Sequence, residues 1–243
     1  MNPLQTLPFN PDTITVGEIV TENYHAAGVF KEYKLDFCCG GDKTLAEACG
    51  KRNVDIRVVL EKLSALPWGT TTTSENFKAW EPGFLVDYIQ NTHHNFVRSK
   101  TQEIAGYAAR VAKVHGEHFP ENIDVYRQFV NLSNELLRHL NDEETTVFPL
   151  IKTISELRRA GQPVSENLIR ELTTELNRME NDHEEAGEVM AKIRELTRNY
   201  QPPQGACTTY RVLYQNLAGF EDDLHKHVHL ENNILFKKAQ ALV

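Results

Sequence analysis

The hydrophobic pattern changes character near residue 82. Beyond that point apolar residues recur at steps of three and four, as in helices with one buried face. Four such stretches cover about 83–115, 122–160, 165–200 and 207–241. The breaks between them are Gly116 to Asn122, Gly161 to Ser165 and Gln201 to Gly205, and each holds glycine or proline, residues that stop helices. No strand-like alternation interrupts the region. Long helices with short connections predict an up-down-up-down four-helix bundle over residues 82–243. Residues 1–70 read as a small helical domain. Asp12, Thr13 or Thr15 would open its first helix and Asp42 or Thr44 its second. The turn-rich run PWGTTTTS from Pro67 to Ser74 reads as a linker. The expected fold class is all-α.

Polar residues interrupt the apolar stripes. The second bundle helix runs Phe129, Leu132, Leu136, then His139 and Glu143, then Val147. The third runs Leu172, Leu176, Met179, then His183, then Ala186, Met190 and Ile193. The fourth runs Leu217, Phe220, Leu224, then His227 and Glu231, then Leu235. A carboxylate buried bare costs on the order of several kcal/mol. These side chains therefore need partners, and a metal would satisfy them together.

The spacing sharpens that reading. His94 and His139 are 45 residues apart, His139 and His183 are 44 apart, and His183 and His227 are 44 apart. The midpoints, near 116–117, at 161 and at 205, fall inside the three breaks. Residues equidistant from the turn of an antiparallel hairpin lie side by side, so the four imidazoles are expected at one level. There is also an internal repeat. His139-x-x-x-Glu143 precedes Val147-Phe148, and His227-x-x-x-Glu231 precedes Leu235-Phe236. An i, i+4 pair lies on one helix face one turn apart. The expected metal ligands are His94, His139, Glu143, His183, His227 and Glu231.

Six ligands without a thiolate suit iron or manganese better than a closed structural zinc site. They are too many for one tetrahedral ion and fit two ions bridged by the two carboxylates. Two glutamates give −2 against at least +4 from two divalent ions, so an oxo or hydroxo bridge between two iron ions is expected. The 243-residue chain has a net charge of −8, which argues against nucleic acid and anionic membrane as partners. MNPLQTLPFNPDT has neither a basic stretch nor an apolar one, so no signal peptide is expected, and no apolar run approaches a membrane span. Of the four cysteines two are adjacent and the others scattered, which does not match a secreted disulfide framework, and the expected setting is the cytoplasm.

The other histidines read differently. His93 points about 100° away from His94 and is expected at the surface or behind the ligands. Of His225, His227 and His229, only His227 is in step with Leu224 and with the repeat. His115 lies 21 residues beyond His94, roughly 30 Å along a helix, and reads as a helix-end residue. Tyr88, Tyr126 and Tyr214 read as core. Cys38-Cys39 precede Gly40-Gly41. A disulfide between adjacent cysteines would be strained, and a helix beginning near Thr44 would favour a reactive thiolate. Cys38 and Cys39 are thus candidates for a thiol role in redox or iron handling, alongside a plain buried pair. Cys49 and Cys207 read as structural.

Several motifs together resemble one family: Phe37-Cys38-Cys39-Gly40-Gly41, His94 after Asp87-Tyr88-Ile89, Arg138-His139 with Glu143-Glu144 and Phe148-Pro149, Asp182 to Gly187, Ala206 to Thr209, and His227 with Leu230 to Asn233. The chain resembles the bacterial iron–sulfur cluster repair di-iron proteins, the repair-of-iron-centres family, over nearly its whole length. The resemblance implies a small Cys-Cys-Gly-Gly domain, then a hemerythrin-like bundle. It also implies a role in restoring iron–sulfur clusters damaged by nitric oxide or peroxide. His115 matches a histidine common in that family, whereas Lys237 stands where proline is frequent, which should alter helix shape slightly. Compared with oxygen-carrying hemerythrins, a histidine ligand is missing and the second motif is shorter. Both differences imply a more open, more labile iron site.

Three functions are compatible with such a site. The first is a repair protein that donates iron, acting on damaged iron–sulfur proteins, with nitric oxide or oxygen as small ligands and a homodimer among its allowed states. Here His94 and His227 would hold one iron, His139 and His183 the other, and Glu143 and Glu231 would bridge. The second is a di-iron reductase of nitric oxide or oxygen. The third is a gas sensor, which no partner domain supports.

Overall fold

The computed structural model describes residues 7–69 and 76–243. Among these residues the protein is all-α, a four-helix bundle preceded by short helices. The short ones are α1 (Val16–Glu22), α2 (Ala26–Glu32), α3 (Leu45–Arg52) and α4 (Ile56–Ser64). Thr15 and Thr44 each begin a helix with a reciprocal cap. The hydroxyl accepts the N–H of the glutamate three residues on, and that glutamate accepts the threonine N–H. So Thr15 is the cap of α1 rather than Asp12 or Thr13, and Thr44 rather than Asp42 begins α3. Sequence reasoning missed α2 and α4. Each is at most nine residues long, too short for the apolar stripe to repeat. The linker expected from Pro67 to Ser74 falls mostly outside the described residues; Pro67, Trp68 and Gly69 are irregular, with Gly69 at φ 79°.

The bundle helices match the expected stretches. α5 comprises Pro82–Ile89, Gln90–His94 and Asn95–His115. α6 comprises Glu121–Asp142, Glu143–Val147 and Phe148–Arg159. α7 is Glu166–Leu196, and α8 comprises Thr208–Leu230, Glu231–Leu235 and Phe236–Gln240. α5 packs on α6 and α6 on α7; Phe220 of α8 meets Phe96 and Phe129, with ring centroids 6.3 and 5.3 Å away. Gly161 and Gly205, at φ 67° and 80°, supply the left-handed turns between helices.

The middle segments of α5, α6 and α8 are π-helical turns. The N–H of Asn95 reaches back five residues to the Gln90 carbonyl, Phe148 reaches Glu143, and Phe236 reaches Glu231. In α6, Pro149 is the second residue after the turn and has no N–H to donate. In α8 the matching position is Lys237, yet the same order of α, π and α segments is kept.

The chain divides into two compact units. One contains the described residues up to Leu85 with Val228–Ala241, and the other contains Val86–His227 with Leu242–Val243. In the first, the backbone N–H groups of Val16 and Gly17 bond to the carbonyls of Lys43 and Gly41, each at 2.9 Å. In the second, the core is built of Val97, Ile104, Phe129, Leu132, Leu176 and Met190, all almost fully buried.

Candidate metal centre

The π turns sit where the polar residues interrupt the stripes. His94 closes the first, Glu143 opens the second and Glu231 opens the third. Glu143 and Glu231 have no exposed surface, and the four histidines are all buried. The two oxygens of Glu143 face different imidazoles. One lies 3.3 Å from His94 Nε2; the other lies 3.4 Å from His139 Nε2 and 3.9 Å from His183 Nε2. His139 Nε2 and His183 Nε2 are 2.9 Å apart. The His94 and His227 rings lie 5.0 Å apart by centroid. Glu231 is carried one turn past His227 on the same unbroken helix. Ligand-type atoms thus gather in two groups, His94, Glu143 and His227 in one, His139, Glu143 and His183 in the other, each within 4.8 Å.

The outer ring nitrogens are held by carboxylates. His94 Nδ1 lies 2.7 Å from Glu144 Oε1, and the Arg98 guanidinium grips both Glu144 oxygens at 2.7 and 3.1 Å. His139 Nδ1 lies 3.2 Å from Asp182 Oδ2. The His139 hydrogen bond, outweighing burial, keeps the Asp182 carboxyl below its ordinary range. Burial pushes Glu144 up, but Arg98 and His94 together hold it below its ordinary range. An ionised carboxylate only accepts, so each Nδ1 carries the proton. Each Nε2 then turns a lone pair inward, as in carboxylate–histidine–metal arrangements. Inward-facing Nε2 atoms of His139 and His183 only 2.9 Å apart, beside the buried Glu143 carboxylate, form a set of donor atoms that suits a cation. Replacing Asp182 with Asn is expected to weaken metal affinity by roughly 10–100-fold, measured by competition with a chelator, with helix content unchanged.

The remaining residues fall into place around this set. His93 is buried, which removes the surface alternative. Its Nδ1 is 2.9 Å from Asp223 Oδ1, and its ring stacks on His227 at 5.5 Å and 6°. His229 is also buried, but its Nε2 meets Thr21 Oγ1 at 3.5 Å and its ring lies 5.9 Å from Phe37. Burial lowers its pKa to about 4, so it stays neutral. His115 ends α5 with Nε2 3.3 Å from Cys207 Sγ. Tyr88 lies edge-on to His93 at 5.8 Å and Tyr214 pairs with Tyr210, whereas Tyr126, expected in the core, is exposed.

Cys38 and Cys39 occupy a tight loop ahead of α3. Their sulfurs are 3.9 Å apart, and neither forms a disulfide. The neighbouring Cys39 thiol, burial and the Asp36 charge push the Cys38 thiol well above its ordinary pKa. The thiolate activation expected from a helix N-terminus is therefore absent at Cys38, because Thr44, six residues on, caps that helix.

Two known domains match this chain in succession. The domain of unknown function DUF542 matches residues 13–67, and the hemerythrin HHE cation binding domain matches residues 86–239. The iron-sulfur cluster repair protein ScdA of Staphylococcus haemolyticus is 34% identical over 226 residues, covering 92% of this chain and 96% of its own. The iron-sulfur cluster repair protein YtfE of Salmonella typhimurium is 32% identical over 228 residues, covering 93% and 96%. This chain belongs to their family. The hemerythrin match spans all six ligand candidates, and the DUF542 match spans the Cys38-Cys39 loop. In this family member, sequence reasoning gave no role to Glu144, Asp182 or Asp223. The first two adjoin Glu143 and His183 in sequence but support imidazoles on other helices. That cross-helix relation has no periodic signal.

Proposed function

We propose that this protein repairs iron–sulfur clusters damaged by nitrosative or oxidative stress, by donating iron from a di-iron centre. One observation carries the reading: two His/carboxylate groups share the buried Glu143, whose two oxygens face different imidazoles. His94 and His227 would hold one iron and His139 and His183 the other, with Glu143 and Glu231 across both. Four protein atoms per ion leave positions open, so an iron pair supplies exchangeable metal when bound. Asp182 and Glu144 keep the Nε2 lone pairs of His139 and His94 turned inward, and Phe148 stacks on the His94 ring at 5.4 Å. Cys38 and Cys39 would receive the metal on its way to a client iron–sulfur protein in the bacterial cytoplasm.

The test is reconstitution. The iron-loaded chain is mixed with a nitric-oxide-treated iron–sulfur enzyme, without an added iron source, and client activity is followed with iron content. Recovery matched by iron lost from the chain is expected. Equal recovery with the metal-free chain would refute donation. Steady consumption of nitric oxide with an electron donor, without iron loss, would replace donation by reduction.

A further inference from the structure

The Cys38-Cys39 loop is held more firmly than a simple connection requires. Asp36 Oδ1 accepts the N–H groups of Cys38 and Cys39, both at 3.1 Å, and Asp36 Oδ2 accepts that of Gly40 at 2.9 Å. From the other side, Asn233 Nδ2 donates to the carbonyls of Cys38 at 2.9 Å and Phe37 at 3.3 Å. A Cβ on Gly41 would drive into the Asn233 amide, so the backbone passes where only glycine fits. Five hydrogen bonds thus fix a segment of five residues, and they do so with both sulfurs on the side of the Asp36 carboxylate.

The distances have a chemical meaning. The two sulfurs are 3.9 Å apart, and Cys38 Sγ is 3.4 Å from Asp36 Oδ1. Ligand-type atoms of Asp36, Cys38 and Cys39 all lie within 4.8 Å of one another. A tetrahedral ion with metal–sulfur bonds of about 2.3 Å and metal–oxygen bonds of about 2.0 Å separates two sulfurs by roughly 3.8 Å, and sulfur from oxygen by roughly 3.5 Å. The loop already holds the sulfur–sulfur spacing and one sulfur–oxygen spacing, the latter as a hydrogen bond from the Cys38 thiol to Asp36 Oδ1. Asp36 Oδ2 accepts a single amide N–H and keeps a lone pair for an ion. A ligand set preorganised by its supporting bonds loses little on binding.

We propose that Asp36, Cys38 and Cys39 form a second metal site, distinct from the His/Glu centre, for one divalent ion of the zinc or ferrous class. Binding releases the two thiol protons to solvent, and both sulfurs ligate as thiolates. Three protein ligands leave the fourth position open, and Cys39 and Asp36 keep the site in reach of solvent. A relay of iron through this site rests on the function proposed above; the binding site itself does not.

Cobalt(II) titrated anaerobically into the full-length, iron-loaded chain tests the site. A sulfur-to-cobalt charge-transfer band is expected to saturate at one ion per chain. Cys38→Ser and Cys39→Ser should each abolish it, and Asp36→Asn, which keeps an acceptor oxygen for the loop amides, should weaken binding by about tenfold or more. Cys207→Ser, at the exposed cysteine, should leave the band intact, and iron content should not change in any of these variants. Absence of the band in the unaltered chain, or its survival in Cys39→Ser, would overturn the proposal. Cobalt bound at the thiols of a chain inactive in client repair would leave this site standing and sink only the donation reading.

Discussion

Replacing Glu143 with leucine is expected to strip the bundle of iron while leaving the metal-free chain at least as stable as before. Glu143 is completely buried, and its oxygens face His94 on one side and His139 and His183 on the other. Removing it takes a ligand from both groups at once, so iron content should fall by at least about tenfold, more than for loss of a supporting carboxylate. Without metal, a buried carboxyl among imidazoles is a liability, and a leucine of similar volume removes its desolvation. The metal-free variant should therefore gain about 1–3 kcal/mol over the metal-free parent. Elemental analysis and paired thermal melts with and without iron would check this. A metal-free variant less stable than its parent would show that Glu143 serves the fold rather than the metal.

Gly17→Ala is expected to destabilise the protein by about 2 kcal/mol, although it adds only one methyl group. A Cβ there would press into the Asn233 side-chain amide and lie 2.9 Å from the Gly41 carbonyl oxygen. The backbone cannot yield easily, because Gly17 N–H is bonded to that same carbonyl. Asn233 must move instead, giving up its bonds to the Phe37 and Cys38 carbonyls. Asn233→Ala removes the side-chain part of the obstruction and leaves the Gly41 carbonyl oxygen. In the double variant the two losses should therefore fall short of additivity by about 1 kcal/mol. Denaturant unfolding of the four chains would measure this. Strict additivity would mean that the close approach is relieved elsewhere.

The fold was largely legible because its periodicity is long. α7 alone keeps one buried face over 31 residues, and glycine or proline marks each break. The level of the histidines was legible for a geometric reason: equal distances from the turns place them together without knowledge of any contact. Two things were harder to read. α2 starts at His25 without a side-chain cap, so neither a stripe nor a cap announces it. The π turns were written in the spacing but read as ordinary helix. His139, Glu143 and Val147 succeed one another at steps of four, as do His227, Glu231 and Leu235. In a straight α-helix two such steps drift roughly 80° around the axis; a wider turn keeps all three on one side. The carboxylates behind His94 and His139 depend on which helix lies next door, which a single chain's pattern does not encode.

Each π turn carries one residue more than ordinary winding would use over the same rise. A single deletion within Glu144 to Val147 would let the helix close into plain α winding. Phe148, Ile151 and Ile154 beyond it would keep facing the interior, because loss of the surplus residue leaves the distal half of the helix unrotated. The same shortening would draw Glu143 out of step with His94 and His183. Such a chain should assemble the same bundle and fail to retain its ions, so the means of folding and the means of gripping a cation are separable by the length of one backbone segment.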